Sequence, residues 1–157
     1  MTERGRPLVA MLALALAACG AEPSTPSPGT SSGGNTLAMP ERAMLGTAEI
    51  EASVVPTARI SEAAARQYGI DRGDDRVLVL VSVRDGDAAP PVTVTGHARD
   101  LRGVRQSLAF APVTVDGQVE HVATARAFGP DTLRLALEVA GVDGARTVLR
   151  FNREIPR

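Results

Sequence analysis

Two histidines are the side chains best suited to chemistry in this chain. His97 and His121 are its only histidines, and each could join a carboxylate to hold zinc or copper. Neither histidine belongs to a paired or i, i+4 motif, and no free cysteine is expected to join them. We therefore expect no metal site and no cofactor, and we interpret both histidines as structural or surface residues.

Two groups of aspartates raise the question of calcium binding. A dedicated calcium loop presents oxygen ligands at fixed spacing, as in D-x-D-x-D-G, and that pattern is absent from the sequence. Aspartate and glycine at chain reversals are also ordinary turn residues. The sequence therefore predicts turns, and not a calcium site, at Asp71, Asp74, Asp75, Asp85 and Asp87.

The motifs of nucleophilic catalysis are also missing. The chain has no G-x-S-x-G sequence, and Ser-x-x-Lys cannot occur because all seventeen basic residues are arginine. Its only glycine pair, Gly33-Gly34, lies in a Ser/Pro-rich stretch and not in a phosphate-binding loop. We predict that the protein is not an enzyme, although serine, histidine and aspartate could still converge in three dimensions.

Three arginines cluster around one predicted turn at Leu101–Gly103. Arg99, Arg102 and Arg105 could bind an anion or a partner protein, because guanidinium groups make bidentate contacts to carboxylates and phosphates. We treat them as a candidate interaction patch. The alternative is a solvated turn in which Asp100 is the local partner of these arginines.

The amino terminus has the features of an export signal. A basic start is followed by the apolar run Leu8–Ala18, which is shorter than the roughly 20 apolar residues that span a bilayer. Leu16, Ala17, Ala18 and Cys19 resemble the bacterial lipobox, which predicts cleavage before Cys19 and acylation of its thiol. The alternative is an ordinary signal peptide with a coincidental cysteine.

Acylation of Cys19 would fix the protein to membrane lipid, because three acyl chains exceed what stable anchoring needs. Gly20 follows the cysteine, and an aspartate at this position would be the signal for retention in the inner membrane. We therefore expect an outer-membrane lipoprotein that faces the periplasm, in preference to the inner membrane.

Composition divides the chain into three parts. Residues 1–18 are the predicted signal peptide, and residues 19–42 form a tether rich in Gly, Pro, Ser and Thr that cannot bury enough apolar surface to fold. Residues 43–157 form one predicted domain. The formal net charge is −1, which gives no electrostatic reason to bind nucleic acid.

Local patterns in the domain predict one helix and a series of strands. Ser61 can cap a short helix that ends at Gly69. Apolar runs or alternating apolar residues predict strands, and Asp116-Gly117 predicts a type I′ hairpin turn. The predicted strands are 49–55, 77–83, 92–98, 106–111, 113–115, 119–125, 133–139 and 147–151. The fold class is therefore mainly β, an antiparallel, immunoglobulin-like β-sandwich of about seven or eight strands with one short helix.

The order of these motifs is similar to a family of small exported bacterial proteins, domain of unknown function 4426. The resemblance covers about residues 45–155, and the family has no assigned activity. The matching stretches are Ile60–Ile70, Leu80–Val83, Val94–Gly96, Asp100–Gly103 with Leu108 and Phe110, Asp116-Gly117, Thr132–Arg134 and Leu149–Phe151.

Together these features predict a membrane-anchored envelope lipoprotein that acts as a non-enzymatic interaction or envelope-maintenance module. Its partner would be another envelope protein, in addition to membrane lipid through Cys19. The alternative is a periplasmic β-sandwich that binds a small ligand or a metal through His97, His121 and nearby acids.

Overall fold

A computed structural model describes residues 39–156, which contain nine strands, one short 3-10 helix (Thr57–Arg59) and one α-helix, α1 (Glu62–Tyr68). The predicted signal peptide, Cys19 and most of the predicted tether lie outside the described residues. The strands are β1 (Glu41–Leu45), β2 (Ala48–Pro56), β3 (Arg76–Arg84), β4 (Val92–Arg99), β5 (Arg105–Leu108), β6 (Ala111–Val115), β7 (Gln118–Arg126), β8 (Asp131–Gly141) and β9 (Arg146–Ile155).

The strands form two antiparallel sheets. One sheet has five strands in the order β1-β2-β3-β7-β6, and the other has four strands in the order β5-β4-β8-β9. Apolar side chains from the inner faces of both sheets form one continuous core. The predicted antiparallel β-sandwich with one short helix is confirmed, with nine strands in place of seven or eight.

Alternation along the strands decides which side chains enter this core. Leu133, Leu135, Leu137 and Val139 on β8 are buried, and the residues between them are exposed or half-buried. Successive side chains of a strand point to opposite faces, so a run with apolar residues at every second position buries one face only. On β4 the same rule buries Val94 and Ala98 and directs His97 outward.

Strand β3 is buried on both faces, as its continuous apolar sequence predicts. Val77, Val79, Val81 and Val83 enter the core between the sheets. Leu78, on the opposite face, belongs to a second apolar cluster with Ile60 and Ala65 of the helical segment and with Val122 of β7. Helix α1 therefore covers part of the outer face of the five-stranded sheet.

The predicted caps of α1 are both formed. The Ser61 hydroxyl accepts a hydrogen bond from the Ala64 N–H at 3.1 Å, and Gly69 adopts the left-handed conformation at φ +65°. At the end of the helix, the Tyr68 hydroxyl donates to Glu120 on β7 at 2.8 Å. A helix of seven residues is too short to be stable alone, so these contacts hold it on the sheet.

Two strand predictions need correction. The segment 106–111 is not one strand, because the chain leaves the four-stranded sheet after Leu108 and joins the five-stranded sheet at Ala111. Strand β1 was not predicted, because its five residues, two charged followed by three apolar, do not alternate. It pairs with β2, and Arg42 forms a 2.6 Å ion pair with Glu51 on that strand. The predicted Asp116-Gly117 turn is confirmed, since both residues have positive φ.

Within residues 39–156, no helix is both long enough and apolar enough to cross a membrane.

Candidate functional site

The outer face of the four-stranded sheet gathers four arginines around one histidine. Outward positions on β4 carry His97 and Arg99, and the neighbouring strands contribute Arg105 from β5, Arg134 from β8 and Arg150 from β9. All four arginines are exposed and His97 is half-buried. We call these five residues the arginine face.

Strand register brings these side chains together. Arg99 on β4 lies directly opposite Arg105 on β5 and also directly opposite Arg134 on β8. Two positions further along the strands, His97 and Arg150 lie on either side of Ala136. Residues directly opposite on antiparallel strands have Cβ atoms about 5 Å apart, so long guanidinium side chains in these rows reach a common volume.

The four guanidinium groups have no carboxylate partner. Across residues 39–156, none of the four forms a salt bridge within 4.0 Å, whereas five other arginines do so: Arg42, Arg66, Arg76, Arg102 and Arg146. Like charges placed directly opposite on neighbouring strands destabilise a sheet. An uncompensated arginine cluster is therefore a feature that a bound anion would stabilise.

Ala136 forms the floor of this face. Its methyl side chain leaves space between His97 and Arg150, and two adjoining hollows of about 280 and 450 Å³ share all three residues as walls. The larger hollow also reaches Arg99 and Arg134. A compact anionic group can therefore enter between several cationic side chains without displacing a large side chain.

The electrostatics of His97 reflect the same surroundings. Burial lowers the pKa of His97, and the positive charges of Arg105, Arg99 and Arg150 lower it further. Its Nδ1 atom lies 3.1 Å from Nη2 of Arg105, so the neutral ring can accept a hydrogen bond from that guanidinium. His97 is therefore neutral at pH 7 in the absence of a bound anion.

The predicted patch of Arg99, Arg102 and Arg105 is divided in the structure. Arg99 and Arg105 belong to the arginine face, but Arg102 bonds to Asp100 through Nε and Nη2 at 3.2 and 3.1 Å. Burial acts to raise the pKa of Asp100, yet hydrogen bonds from the Val104 backbone and from Arg102 outweigh it and lower that pKa. For Arg102, the alternative interpretation therefore holds, because Asp100 is its local partner.

Arg134 and Arg150 were missing from the predicted patch. The alternation of Leu133 and Leu135 already directs Arg134 outward, and the same pattern around Leu149 and Phe151 directs Arg150 outward. No local signal shows that β8 lies between β4 and β9, so the sequence could not place either arginine beside Arg99.

His121 lies elsewhere and has different surroundings. It stands on β7 opposite Val81, in the layer between the two sheets, and only 9% of its surface is exposed. Burial lowers the pKa of His121, and the polar backbone of the neighbouring Val92 partly offsets that shift. The two histidines belong to different sheets and cannot share one metal ion. No group of three His, Cys, Asp or Glu side chains in the described part of the chain could hold one.

A comparison with protein families finds one match, over residues 42–156, to the Domain of unknown function (DUF4426). The chain belongs to this family. The matched region contains nearly all of the sandwich, including the whole arginine face. No curated protein matches this DUF4426 chain in sequence.

Solved structures share the fold of this DUF4426 chain. A DUF4426 family protein from Pseudomonas aeruginosa PAO1 is 21% identical with a TM-score of 0.64, covering 74% of this chain and 94% of that one. FetP from uropathogenic Escherichia coli strain F11 is also similar. A copper-bound variant is 11% identical with a TM-score of 0.53, and the as-isolated protein is 10% identical with a TM-score of 0.54. Each covers 74% of this chain and 95% of its own. At these identities the likeness concerns the fold alone.

Proposed function

We propose that this protein is a non-enzymatic binding module held at the bacterial cell envelope, where its arginine face binds an acidic partner. The observation that carries the proposal is a cluster of four guanidinium groups around the open floor at Ala136, none of which has a carboxylate partner within residues 39–156. Guanidinium groups bind carboxylates through two parallel hydrogen bonds, which gives orientation as well as attraction.

The partner we propose is another envelope protein that presents a cluster of carboxylates. Arg105, Arg99 and Arg134 form a row across three strands, and such a row matches several carboxylates better than a single small anion. Exposed charges mainly set the rate and specificity of association, so this binding should weaken as salt rises.

The proposed location of the protein at a membrane follows from the sequence of its amino terminus. The lipobox-like residues Leu16–Cys19 support acylation of Cys19, and the Pro/Ser/Gly-rich segment after it supports a spacer between lipid and domain. A tethered module would meet partners that lie near the same membrane surface. We propose the outer membrane, with the domain in the periplasm.

Metal binding is the alternative raised by the likeness to FetP, one structure of which is copper-bound. His97 lies on an outer sheet face and His121 lies between the sheets, so they offer no joint coordination sphere. The alternative function is therefore the binding of a small ligand, and its best location is the cavity lined by His121, Pro90 and Pro91.

Paired double variants test the arginine face. Arg134→Gln with Arg150→Gln removes two members of the face, and Arg42→Gln with Arg66→Gln removes two ion-paired arginines on the five-stranded sheet and helix α1. Both variants change the net charge equally. With polyglutamate as the probe in isothermal titration calorimetry at low salt, we expect the first variant to bind at least about tenfold more weakly. The second should bind like the wild type.

Equal losses in both variants would show that only net charge matters, and would contradict the proposal. The same pair should be compared by chemical crosslinking in detergent-solubilised envelopes. A crosslinked protein captured by the wild type and the control, but lost with Arg134→Gln and Arg150→Gln, is the expected result.

A further inference from the structure

A second cavity lies at the opposite end of the sandwich core from the Leu101–Gly103 turn. It measures about 300 Å³, is partly open to solvent, and is lined by apolar side chains of both sheets and by the loop Ala89–Pro91. Val83 and Val119 form part of its wall, and His121 is the one side chain in the wall that can ionise. This volume lies at the lower end of the range of small-molecule sites, about 300–1,000 Å³.

The histidine in this wall has an unmet hydrogen bond. More than nine-tenths of the His121 surface is buried, and its Nδ1 atom has no hydrogen-bond partner among the described residues. Buried polar side-chain atoms nearly always have a partner, so an unpaired ring nitrogen beside a cavity needs an explanation. A bound molecule that donates a hydrogen bond to this ring would provide one.

The chemistry of the cavity limits the class of molecule. Burial lowers the pKa of His121, so the ring is neutral near pH 7 and one of its nitrogens is a hydrogen-bond acceptor. The remaining wall residues are apolar, and two consecutive prolines, Pro90 and Pro91, give it a rigid part. A charged molecule would lose part of its hydration there and would meet no oppositely charged side chain in the wall.

We propose that this cavity binds a small, neutral, largely apolar molecule of one or two aromatic rings that donates one hydrogen bond to His121. Hydroxylated or N–H-bearing rings of the phenol and indole type fit this description. The site is separate from the arginine face, because the two share no lining residue.

Phenol and toluene are the probes that test this inference, because they have similar size and only phenol can donate a hydrogen bond. Titrations of the ¹⁵N-labelled full-length protein should be followed on the imidazole nitrogens, with His97→Phe used to assign the two rings. We expect phenol to shift the His121 nitrogens saturably and to bind about fivefold more tightly than toluene. His121→Phe should remove this preference.

Three results would overturn the inference. They are equal affinities for phenol and toluene, no saturable shift of His121 up to the solubility limit of phenol, or a shift confined to His97. If His121→Phe does not fold, the comparison of the two probes on the wild-type protein still decides the question.

Discussion

Among residues 39–156, five arginines form salt bridges, whereas nine, including the four of the arginine face, form none. Those with a carboxylate nearby form ordinary surface ion pairs, such as Arg146 with Glu138 at 2.7 Å. Such pairs contribute about 0–1 kcal/mol to stability. The four members of the arginine face have no such partner in the described part of the chain, and because they lie close together their mutual repulsion opposes folding. A side-chain arrangement that opposes folding is expected where it serves binding.

Removal of one of these arginines should relieve the repulsion. Arg134→Gln removes one of two like charges that face each other across β4 and β8. We expect the free energy of unfolding to stay unchanged or to rise by about 0.2–1 kcal/mol, as measured by urea denaturation at low salt. Arg146→Gln is the control, because it breaks an ion pair and should not stabilise the domain. Destabilisation by Arg134→Gln would mean that the guanidinium has a structural partner.

The affinity of the arginine face for an anion should depend on pH. The pKa of free His97 is lowered by burial and by Arg105, Arg99 and Arg150, and a bound anion would offset those positive charges. Binding an anion therefore favours protonation of His97, and affinity should increase as pH falls below about 6.5, the ordinary pKa of histidine. The carboxylate of Glu138 also lines one of the hollows, but it is already paired with Arg146.

Sulfate is the probe for this pH dependence, because its own charge is constant between pH 8 and 5. Calorimetric titration should show the affinity increase in the wild-type protein and a flatter profile in His97→Gln. An unchanged profile in the variant would exclude His97 as the group responsible.

At the scale of elements, close contacts between strands and between sheets fix the position of the arginine face. Strand β4 lies between β5 and β8, and Gly96 gives β4 the room to approach β8. The two sheets are linked at one side by Gln106 of β5, whose side-chain amide pairs with both backbone groups of Arg126 on β7 at 2.8 Å. On the other side, the Thr147 hydroxyl of β9 donates to the Met44 carbonyl of β1 at 2.7 Å.

Gly96→Ala should test the contact between β4 and β8. An added Cβ would lie 2.7 Å from the Ala136 carbonyl oxygen and 2.7 Å from Cδ2 of Leu137, and the backbone oxygen cannot easily move away. We expect a loss of about 2 kcal/mol in the free energy of unfolding, measured by urea denaturation. Ser107→Ala, at an exposed position on β5, is the control and should change little. A neutral Gly96→Ala would show that the strands separate easily.

Gln106 offers a graded test of the link between the sheets. Gln106→Ala removes both hydrogen bonds to the Arg126 backbone and should cost about 1–3 kcal/mol in thermal or urea unfolding. Gln106→Glu keeps the oxygen that accepts from the Arg126 N–H but loses the donor to its carbonyl. In Gln106→Glu a second carboxylate oxygen also faces the Arg126 carbonyl, and the two acceptors repel each other. We therefore expect Gln106→Glu to cost at least as much as Gln106→Ala, and a smaller loss would contradict this account.

At the scale of the whole molecule, the two outer sheet faces have different roles. Helix α1 and its apolar cluster cover part of the five-stranded sheet, and the Tyr68–Glu120 hydrogen bond closes that contact. The outward residues of the four-stranded sheet are exposed or half-buried, and four of them are arginines that form no salt bridge with any residue between 39 and 156. The covered face therefore stabilises the fold, and the open face is available for a partner.

Membrane anchoring of the whole chain is predicted to depend on Cys19. Cys19→Ala removes the only thiol and should abolish labelling by radioactive palmitate, because no other residue can accept the predicted thioether-linked lipid. The variant should move from the membrane pellet to the soluble fraction after cell fractionation. Palmitate labelling that persists, or pelleting that is as complete as in the wild type, would exclude lipid anchoring through Cys19.

Local features of the sequence determined most of the elements. Backbone geometry sets the two-residue period of a strand, so the alternation on β8 shows which side chains are buried wherever that strand lies. The caps at Ser61 and Gly69 and the hairpin at Asp116-Gly117 are equally local, and the structure confirms them. The sequence similarly identifies Leu16–Cys19 as a predicted export and acylation signal.

Only the tertiary structure decided which residues are neighbours. The same alternating strands are compatible with many orders in a sheet, because pairing depends on contacts between segments far apart in the chain. The order β5-β4-β8-β9 places Arg134 and Arg150 beside Arg99, and the crossing of the chain after Leu108 divides one predicted strand between two sheets. The arginine face and the cavity at His121 exist through long-range packing, which no local pattern specifies.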